Sequence, residues 1–491
     1  MGRRMSKNLS RHHPDYDATL AARTISRDLY EGDEDVKAKE TTYLIQGKNE
    51  EDADYALRLA RAALDPFAEK IVDARQALLF LKTHTRELPA TLEAYMDDID
   101  LKGTPASVFF ADAGREAQVD GIHWVLVDMP RAPVDDDGNP TVRSALDEKE
   151  AGLRPFFEHV PGGAVIDWAV GEDRKLLFTV TETNSEEPRA EDDFGEEPVY
   201  RDQWTVWTRS AWYVYATKTT GTGGNTKSTV EIIDEGVHSL GVVPMIPFFG
   251  VRRTDYSGWP VTRSVNPFIL QIYNKESDLD RYEQISAHPI PCVIAKEKPE
   301  EMLTGGGFFI PSVPEYQTEV FFLETNGKGF ESLRLSIRSK QSRIFSIALA
   351  QAMRDSAQTQ SADAQREDRK IFAASLKSVS VSLEASEQRC WEIMGVWEQL
   401  GDSEIDNIEI SYSRDFDNQM IESAMIQALS ALVMTDQLPV RELWDILKTG
   451  EILPSDFDND EAEKAIEAAE ARKFALVDET LAAEGGDEDN E

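Results

Sequence analysis

Residues 266–295 read NPFILQIYNKESDLDRYEQISAHPIPCVIA, a long helix that starts deliberately and stops abruptly at a strand. Asn266 is suited to cap it through its side-chain oxygen, and Pro267 suits the first helical position because its missing N–H would have no partner there. Apolar residues then recur at Phe268, Ile269, Ile272, Leu279, Tyr282 and Ile285, one stripe at helical spacing that charge interrupts at Lys275 and Glu276. His288-Pro289-Ile290-Pro291 ends the run, since each proline disfavours helical backbone in the residue before it and together they enforce an extended exit into Cys292-Val293-Ile294. The spacing predicts a rod of roughly 30 Å. A solitary helix of this length has too few partners in one chain to bury its stripe, so neighbouring copies are expected to cover it.

A second long helix is expected over Lys328 to Arg354, with Leu333, Ile337, Ile344 and Ala348 on one face and Ser339, Ser342 and Ser346 opposite. Between the two rods lies a compact insert. It reads as a strand from Pro291 to Ala295, a short helical turn near Pro299 to Leu303, a strand at Phe308-Phe309-Ile310 after a run of three glycines, and a strand from Glu319 to Leu323.

Helix, small β-rich insert, helix and polar loop is an arrangement that resembles the stem and clip of tailed-bacteriophage portal proteins. The likeness extends along the chain to a branch catalogued as a phage domain of unknown function. It is carried by RDLYEGDEDVKA at Arg27 to Ala38, DADYALRLARAALDPFAEKIVD at Asp52 to Asp73, GIHWVLVDMPR at Gly121 to Arg131 and RPFFEHVPGGAVIDW at Arg154 to Trp168. Residues 360–401 and 415–454 also resemble that branch. The resemblance implies an α+β portal fold with wing, two-helix stem, small β-rich clip and helical crown.

On that reading residues 1–27 form a flexible basic arm, 28–265 the wing, 266–288 the first stem helix, 289–327 the clip and 328–354 the second stem helix. A tunnel loop follows at 355–363, then wing return helices at 364–417, a helical crown at 418–483 and a disordered acidic tail at 484–491. The family implies a homo-oligomer of twelve copies at one capsid vertex, passing double-stranded DNA and docking the terminase large subunit and later a head–tail adaptor, with the major capsid or scaffolding protein alongside. Its place is the virion, after synthesis in the host cytoplasm. Clip candidates for docking are Lys296, Glu297, Lys298 and Glu300.

In the channel, Ser339, Ser342 and Ser346 are expected to face the lumen, flanked by Arg338 and Arg343 as weak phosphate contacts. The alternative is that the serines permit tight helix packing and the arginines pair with a neighbour's carboxylates. DSAQTQSAD, Asp355 to Asp363, contains no large apolar residue to anchor a core, and its Gln358, Thr359 and Gln360 are suited to touch DNA without holding it. Ile421, Met425, Leu429 and Leu432 make a stripe in the expected crown, Asp458 or Asp460 is available as a later cap, and EGGDEDNE at the end has nothing apolar to anchor it.

Composition agrees with a protein that does not grip nucleic acid over its whole surface: 91 acidic against 52 basic residues give a net charge of −39. The same charge also serves solubility. Two cysteines, Cys292 and Cys390, indicate no disulfide framework and read as ordinary buried thiols. The longest apolar run, Val242 to Val251, is short and holds Pro244 and Pro247, so no membrane span is expected. MGRRMSKNLSRHH is basic without a following apolar region, which argues against a secretory signal. A myristoylation pattern at Met1-Gly2 and Ser6 is set aside because it needs a eukaryotic host.

In the wing, Leu57 to Leu81 reads as one helix with Leu57, Ala60, Leu64, Phe67, Ile71 and Leu78 on its apolar face. Strands are expected at Ser107 to Phe110, His123 to Asp128, Val165 to Trp168, Lys175 to Glu182, Tyr200 to Thr208, Trp212 to Thr217 and Val230 to Ile233, with an exposed loop over Pro188 to Glu197.

No catalytic constellation is found. GTGGNTKS at Gly221 to Ser228 has Thr226 where a phosphate loop needs glycine before the lysine, and it lies between strands, so it reads as a hairpin turn. Asp456, Asp458, Asp460 and Glu467 mimic calcium-loop ligands, but Glu461 occupies the position of the obligatory glycine. Asp135-Asp136-Asp137-Gly138 reads as a surface turn. No cofactor or metal is expected. The rival readings are another phage head–tail connector or minor capsid protein and, further off, a metal-dependent nuclease.

Overall fold

His13 and Pro14 open the first helix, where the imidazole Nδ1 accepts the Asp15 N–H at 3.1 Å and proline takes a position that needs no donor. This helix, α1 (Pro14–Glu31), buries Tyr16, Ser26, Asp28 and Leu29, and Gly32 ends it at φ 108°. The expected flexible arm over residues 1–27 is thereby corrected for most of its length: charge on one face of the segment had hidden a packed opposite face. His13 also stacks on Trp168 at 4.1 Å and donates its backbone N–H to Ile166 O.

The computed structural model describes residues 8–131, 153–186, 197, 200–220, 227–287, 290–295, 308–311, 319–323, 328–344, 346–347, 362–414, 416, 440–441, 443–444, 457, 459–460 and 462–464. It divides into two units, Met1–Arg414 and Asp415–Glu491.

In the first unit, α1 leads into α2 (Asp33–Ala38), α3 (Asp52–Arg61) and α4 (Phe67–Leu79). The single helix expected over Leu57 to Leu81 is therefore two. Ala62 leaves helical backbone at ψ 141° and Pro66 precedes the restart, as a proline requires. The change of axis turns the anticipated face around, leaving Leu57 58% exposed while Tyr55, Ile71 and Val72 are buried. Next come β1 (Thr85–Glu87), α5 (Ala90–Glu93) and α6 (Ala106–Asp120).

The strand expected at Ser107 to Phe110 lies inside α6. Phe109, Phe110, Ala113, Gly114 and Ala117 are its buried side, a helical spacing whose first residues look strand-like when read alone. Gly121 stops the helix at φ 89°, and a Cβ there would lie 2.6 Å from the Trp259 backbone.

Two antiparallel sheets follow. One has the order β3 (Phe156–Val160), β2 (Ile122–Asp128), β9 (Met245–Phe249). The other runs β4 (Val165–Val170), β5 (Leu176–Glu186), β6 (Tyr200–Thr208), β7 (Ala211–Thr220), β8 (Lys227–Val237). Both contribute to one apolar cluster that includes Trp124, Trp168, Trp204, Trp207 and Met245. The pairing of Thr220 with Lys227 agrees with a hairpin connection where the glycine-rich segment lies. Neither β3 nor β9 was anticipated. Strand β9 carries Pro247, which the sheet tolerates because β9 lies at its edge.

After a short pair, β10 (Val251–Thr254) and β11 (Ser257–Trp259), the chain enters α7 (Asn266–Ala287), then β12 (Ile290–Ala295), β13 (Phe308–Pro311), β14 (Glu319–Leu323) and α8 (Lys328–Ile344). Helix α9 (Ala362–Trp397) returns to the body, followed by α10 (Asp402–Ile405) and β15 (Glu409–Ser411), which pairs with β1. The fold is thus α+β.

Helix α9 buries Leu376, Leu383, Cys390, Trp391 and Met394, and among them a carboxylate, Glu387, that is fully shielded from solvent. Glu387 accepts from Arg86 Nε at 2.5 Å, Tyr412 Oη at 2.5 Å and Trp391 Nε1 at 3.1 Å, so the return helix is pinned to the β1–β15 pair. Burial, and then the Glu387 charge, hold the Tyr412 hydroxyl well above its usual range. Replacing Glu387 with Ala leaves the Arg86 guanidinium buried without its anion and is expected to lower unfolding free energy by about 3–5 kcal/mol in urea titration. Glu93→Ala, on the surface, should change it by less than about 0.5 kcal/mol.

Candidate functional site

Helices α7 and α8 lie side by side and antiparallel. Arg343 covers the Phe268 ring at 4.9 Å, Lys340 Nζ donates to Gln271 Oε1 at 2.6 Å, and Lys275 Nζ donates to Ser336 Oγ at 2.7 Å. Farther along α7, Arg334 pairs with Glu283 at 2.6 Å and the Tyr282 and Phe330 rings are 6.3 Å apart. One partner number falls as the other rises. The Arg334–Glu283 pair is exposed on both sides and contributes little, so apolar contacts must hold the hairpin.

Those contacts are made inside the same chain. Ile269, Ile272 and Tyr273 of α7 and Ile337 and Ile344 of α8 belong to one buried cluster with Leu29, Val36, Tyr43, Leu44, Tyr55 and Ile71. The solitary rod of the sequence reading is corrected here, because α1 to α4 supply partners from residues far upstream. Asn266 is corrected too: its amide donates to Ser26 Oγ at 2.7 Å and its oxygen has no partner. The Val265 carbonyl accepts from both Phe268 and Ile269, and the Thr262 carbonyl accepts from Val265 and Asn266, so helical bonding begins upstream of the expected cap.

A second anchor grips the middle of α7. Glu50, 3% exposed, receives Arg58 Nε and Nη2 at 2.8 Å, Arg281 Nη1 at 2.8 Å and the Gly47 N–H at 2.9 Å. Arg58 also donates to Ile45 O at 2.6 Å and Ser277 Oγ at 3.5 Å, while Asn274 bridges Ile45 N and Tyr43 O. The hydrogen bond from Arg58 is the main reason the Glu50 carboxyl titrates below its ordinary range. One helix turn away the situation reverses. Glu276 is half-buried with no hydrogen bond or ion pair among the described residues, and burial together with the Asp65 charge pushes it up to about 7. Nothing in the KNEED stretch around Glu50 signals this role. The break in the apolar stripe at Lys275-Glu276 was the only sequence sign of a special position.

On α8, Ser339 and Ser342 are exposed and lie opposite buried Ile337 and Ile344, the two faces that helical spacing implied, and Ser346, two residues past its end, is exposed as well. Arg338 is exposed and has no partner among the described residues. Arg343, expected to flank the serines, is exposed next to Ser342, and its guanidinium lies over Phe268 of its own chain. Ala348 lies outside the described residues.

In the insert, β12 is central, parallel to β13 and antiparallel to β14, with Cys292 opposite both Phe308 and Phe321. Its docking candidates Lys296, Glu297, Lys298 and Glu300 lie outside the described residues, as do Asp355, Gln358, Thr359 and Gln360. Asp363, assigned to the loop, is instead helical within α9, and the return helices begin at Ala362 rather than at residue 364. Alanines and acids in a first turn favour helix through propensity and the helix dipole.

In the second unit, Val440, Arg441 and Leu443–Trp444 are helical, as are Asn459, Asp460 and residues 462–464. Arg441 pairs with Asp460 at 2.7 Å and Glu463 at 3.5 Å, and the Trp444 and Phe457 rings are 5.7 Å apart. Asp460 thus lies within helix, its carboxylate on Arg441. The stripe from Ile421 to Leu432 and the acidic end lie outside the described residues.

No group of three or more His, Cys, Asp or Glu side chains suited to a metal is found among the described residues, and no described helix is long and apolar enough to cross a membrane.

Residues 268–398, from the first turn of α7 to just past α9, match the family model described as "Domain of unknown function (DUF4055)". No curated protein matches the chain. Among solved structures, the chain is similar at 8% identity to one from "Virion of native gene transfer agent (GTA) particle", with TM-score 0.39, covering 82% of this chain and 94% of that one. Another, from "Neck of native GTA particle computed with C12 symmetry", has 10% identity, TM-score 0.37 and coverage of 78% and 89%. A third, from "Neck of empty GTA particle computed with C6 symmetry", has 9% identity, TM-score 0.39 and the same coverage.

Because the folded state binds the Glu276 proton more tightly than the unfolded chain, stability should rise as pH falls through about 7 toward the ordinary glutamate range. Glu276→Gln removes that dependence. The variant should be more stable than the parent by about 1–2 kcal/mol at pH 8, with the gap closing near pH 5 in thermal melts read across pH.

Proposed function

We propose that this chain is the subunit of a portal ring, a structural virion protein at one capsid vertex through which double-stranded DNA enters and leaves. The observation that carries the reading is the helix hairpin. It is rooted at one end in the subunit's own core and joined at the other by a small three-stranded sheet, with its serine-bearing face left bare. Leu335 at 57% and Tyr282 at 50% exposure are apolar positions on the two helices that only another molecule can cover. A ring needs this kind of heterologous surface, one face meeting a different face of the next copy. The family match spans the same hairpin and the long return helix.

In this role the hairpin is the stem, the β12–β14 sheet is the clip that receives the terminase large subunit and then the tail adaptor, and twelve copies close the ring. Ser339, Ser342 and Ser346 line the lumen as small hydroxyls beside which DNA slides, with Arg338 as a local phosphate contact. Residues 355–361 supply the tunnel loop, and residues 418–483 the crown. The net charge of −39 keeps DNA from adhering elsewhere. The chain performs no catalysis; the motor that docks on it does.

Full-length protein examined by mass photometry and negative-stain imaging at high concentration should show closed rings with a central channel. Monomers and dimers alone, under every salt and concentration tried, would contradict the assignment. Shortening residues 355–361 should leave those rings closed while impairing packaging or retention of DNA in heads; full heads that hold DNA normally would remove the loop's role.

A further inference from the structure

The two sheets do not close on each other everywhere. Between them lies a cavity of about 310 Å³ with two unlike walls. On β2 and β3, Leu126 lies opposite Glu158 in register, so alternation puts Asp128 on the same face as Glu158, and both acids line the cavity. On β5 to β7, Thr181, Thr205, Trp207 and Trp212 face them.

The hydrogen bonds on these walls are incomplete. Among the described residues Asp128 accepts only the N–H of Met129, at 2.8 Å, and Glu158, exposed at the cavity rim, has no partner. Thr181 is 8% exposed and its hydroxyl likewise has none. Arg131, at the cavity edge, is committed to an ion pair with Asp234 and stacks on the Trp212 ring at 4.3 Å. The other titratable group there, His159, shares a hydrogen bond of 2.9 Å with His123. Burial, and then the Glu158 charge, push Asp128 up to about 6.

A neutral polyol would meet the hydroxyls but leave the Asp128 carboxylate, with that of Glu158 at the rim, short of donors on the cavity side. A cation meets all of it: its N–H groups donate to the carboxylates and to the Thr181 and Thr205 oxygens, and its charge is favoured at an indole face. Arg131 on Trp212 shows the chain already using this chemistry at the same wall. We propose that the cavity binds an organic cation, an ammonium or guanidinium group, held between Asp128 and Glu158 and the tryptophan–threonine wall. Its source is either a free polyamine or a lysine or arginine side chain of a neighbouring copy.

The test uses full-length protein, spermidine as the probe, and three substitutions. Asp128→Asn and Thr181→Val keep shape while removing a charge or a hydroxyl, and Asp402→Asn removes an exposed acid elsewhere. If the source is a free polyamine, calorimetry should find one saturable site that Asp128→Asn weakens at least about tenfold and Thr181→Val weakens less, with Asp402→Asn unchanged. If the source is a neighbour's side chain, spermidine shows no saturable site, while Asp128→Asn reduces self-association at least about tenfold with an unaltered monomer melting curve and Asp402→Asn does not. Spermidine binding equal in all variants would reflect net charge alone and overturn the proposal. So would an absence of both binding and any assembly defect, or tighter binding of a neutral sugar than of spermidine.

Discussion

The carboxylate of Glu50, buried between Arg58 and Arg281, is the interaction on which the hairpin depends. Burying a carboxylate costs several kcal/mol unless its lone pairs are filled, and here four N–H groups fill them. Because Arg281 sits on α7 and Arg58 on α3, the group fixes how far along α7 the upstream helices reach. Arg58 then carries the constraint onward to Ser277 and Ile45, so the loop before α3 is clamped to α7 rather than free beside it.

This arrangement divides α7 into two halves of different character. Upstream of the clamp, Ile269, Ile272 and Tyr273 are buried by the chain's own helices. Downstream, Asp280, Tyr282 and Glu283 are exposed; α8 runs alongside, and α3 reaches the helix as far as Gln284 through Arg61. Glu276 lies at the transition with no counter-charge, a local sacrifice of stability next to the strongest polar anchor in the hairpin. A chain built this way buries the base of the hairpin with its own helices and leaves the distal surface exposed, the surface that the proposed ring would cover.

The parts of this that were legible in the sequence are those set by short-range rules. The two long helices, the three strands between them and the serine face of α8 follow from proline placement and from periods of 3.6 and 2; the structure has the first helix and the strands where the spacing implies and the second helix from Lys328 to Ile344, while its expected end at Arg354 lies outside the described residues. The errors arose where tertiary contacts overrode local pattern. Residues 14–31 are polar enough to pass for a free arm, yet Tyr16 and Leu29 face inward. Phe109-Phe110 resembles a strand until Ala113 and Ala117 are counted with it. Asn266 was suited to cap by identity but is drawn to Ser26, 240 residues upstream. The Glu50 anchor joins residues 8 and 231 apart in sequence, and no local motif records such a pairing.

Hydrogen exchange along α7, measured first on dispersed subunits and then on the assembled protein, tests the division of this helix most directly. Amides from Ile269 to about Ser277 should be protected already in the dispersed subunit. Those from about Tyr282 to Ala287 should exchange orders of magnitude faster there and gain protection only on assembly. Uniform protection of the whole helix in dispersed subunits, or no change in its distal half on assembly, would contradict a helix rooted at its base and, in the proposed ring, completed by neighbouring copies.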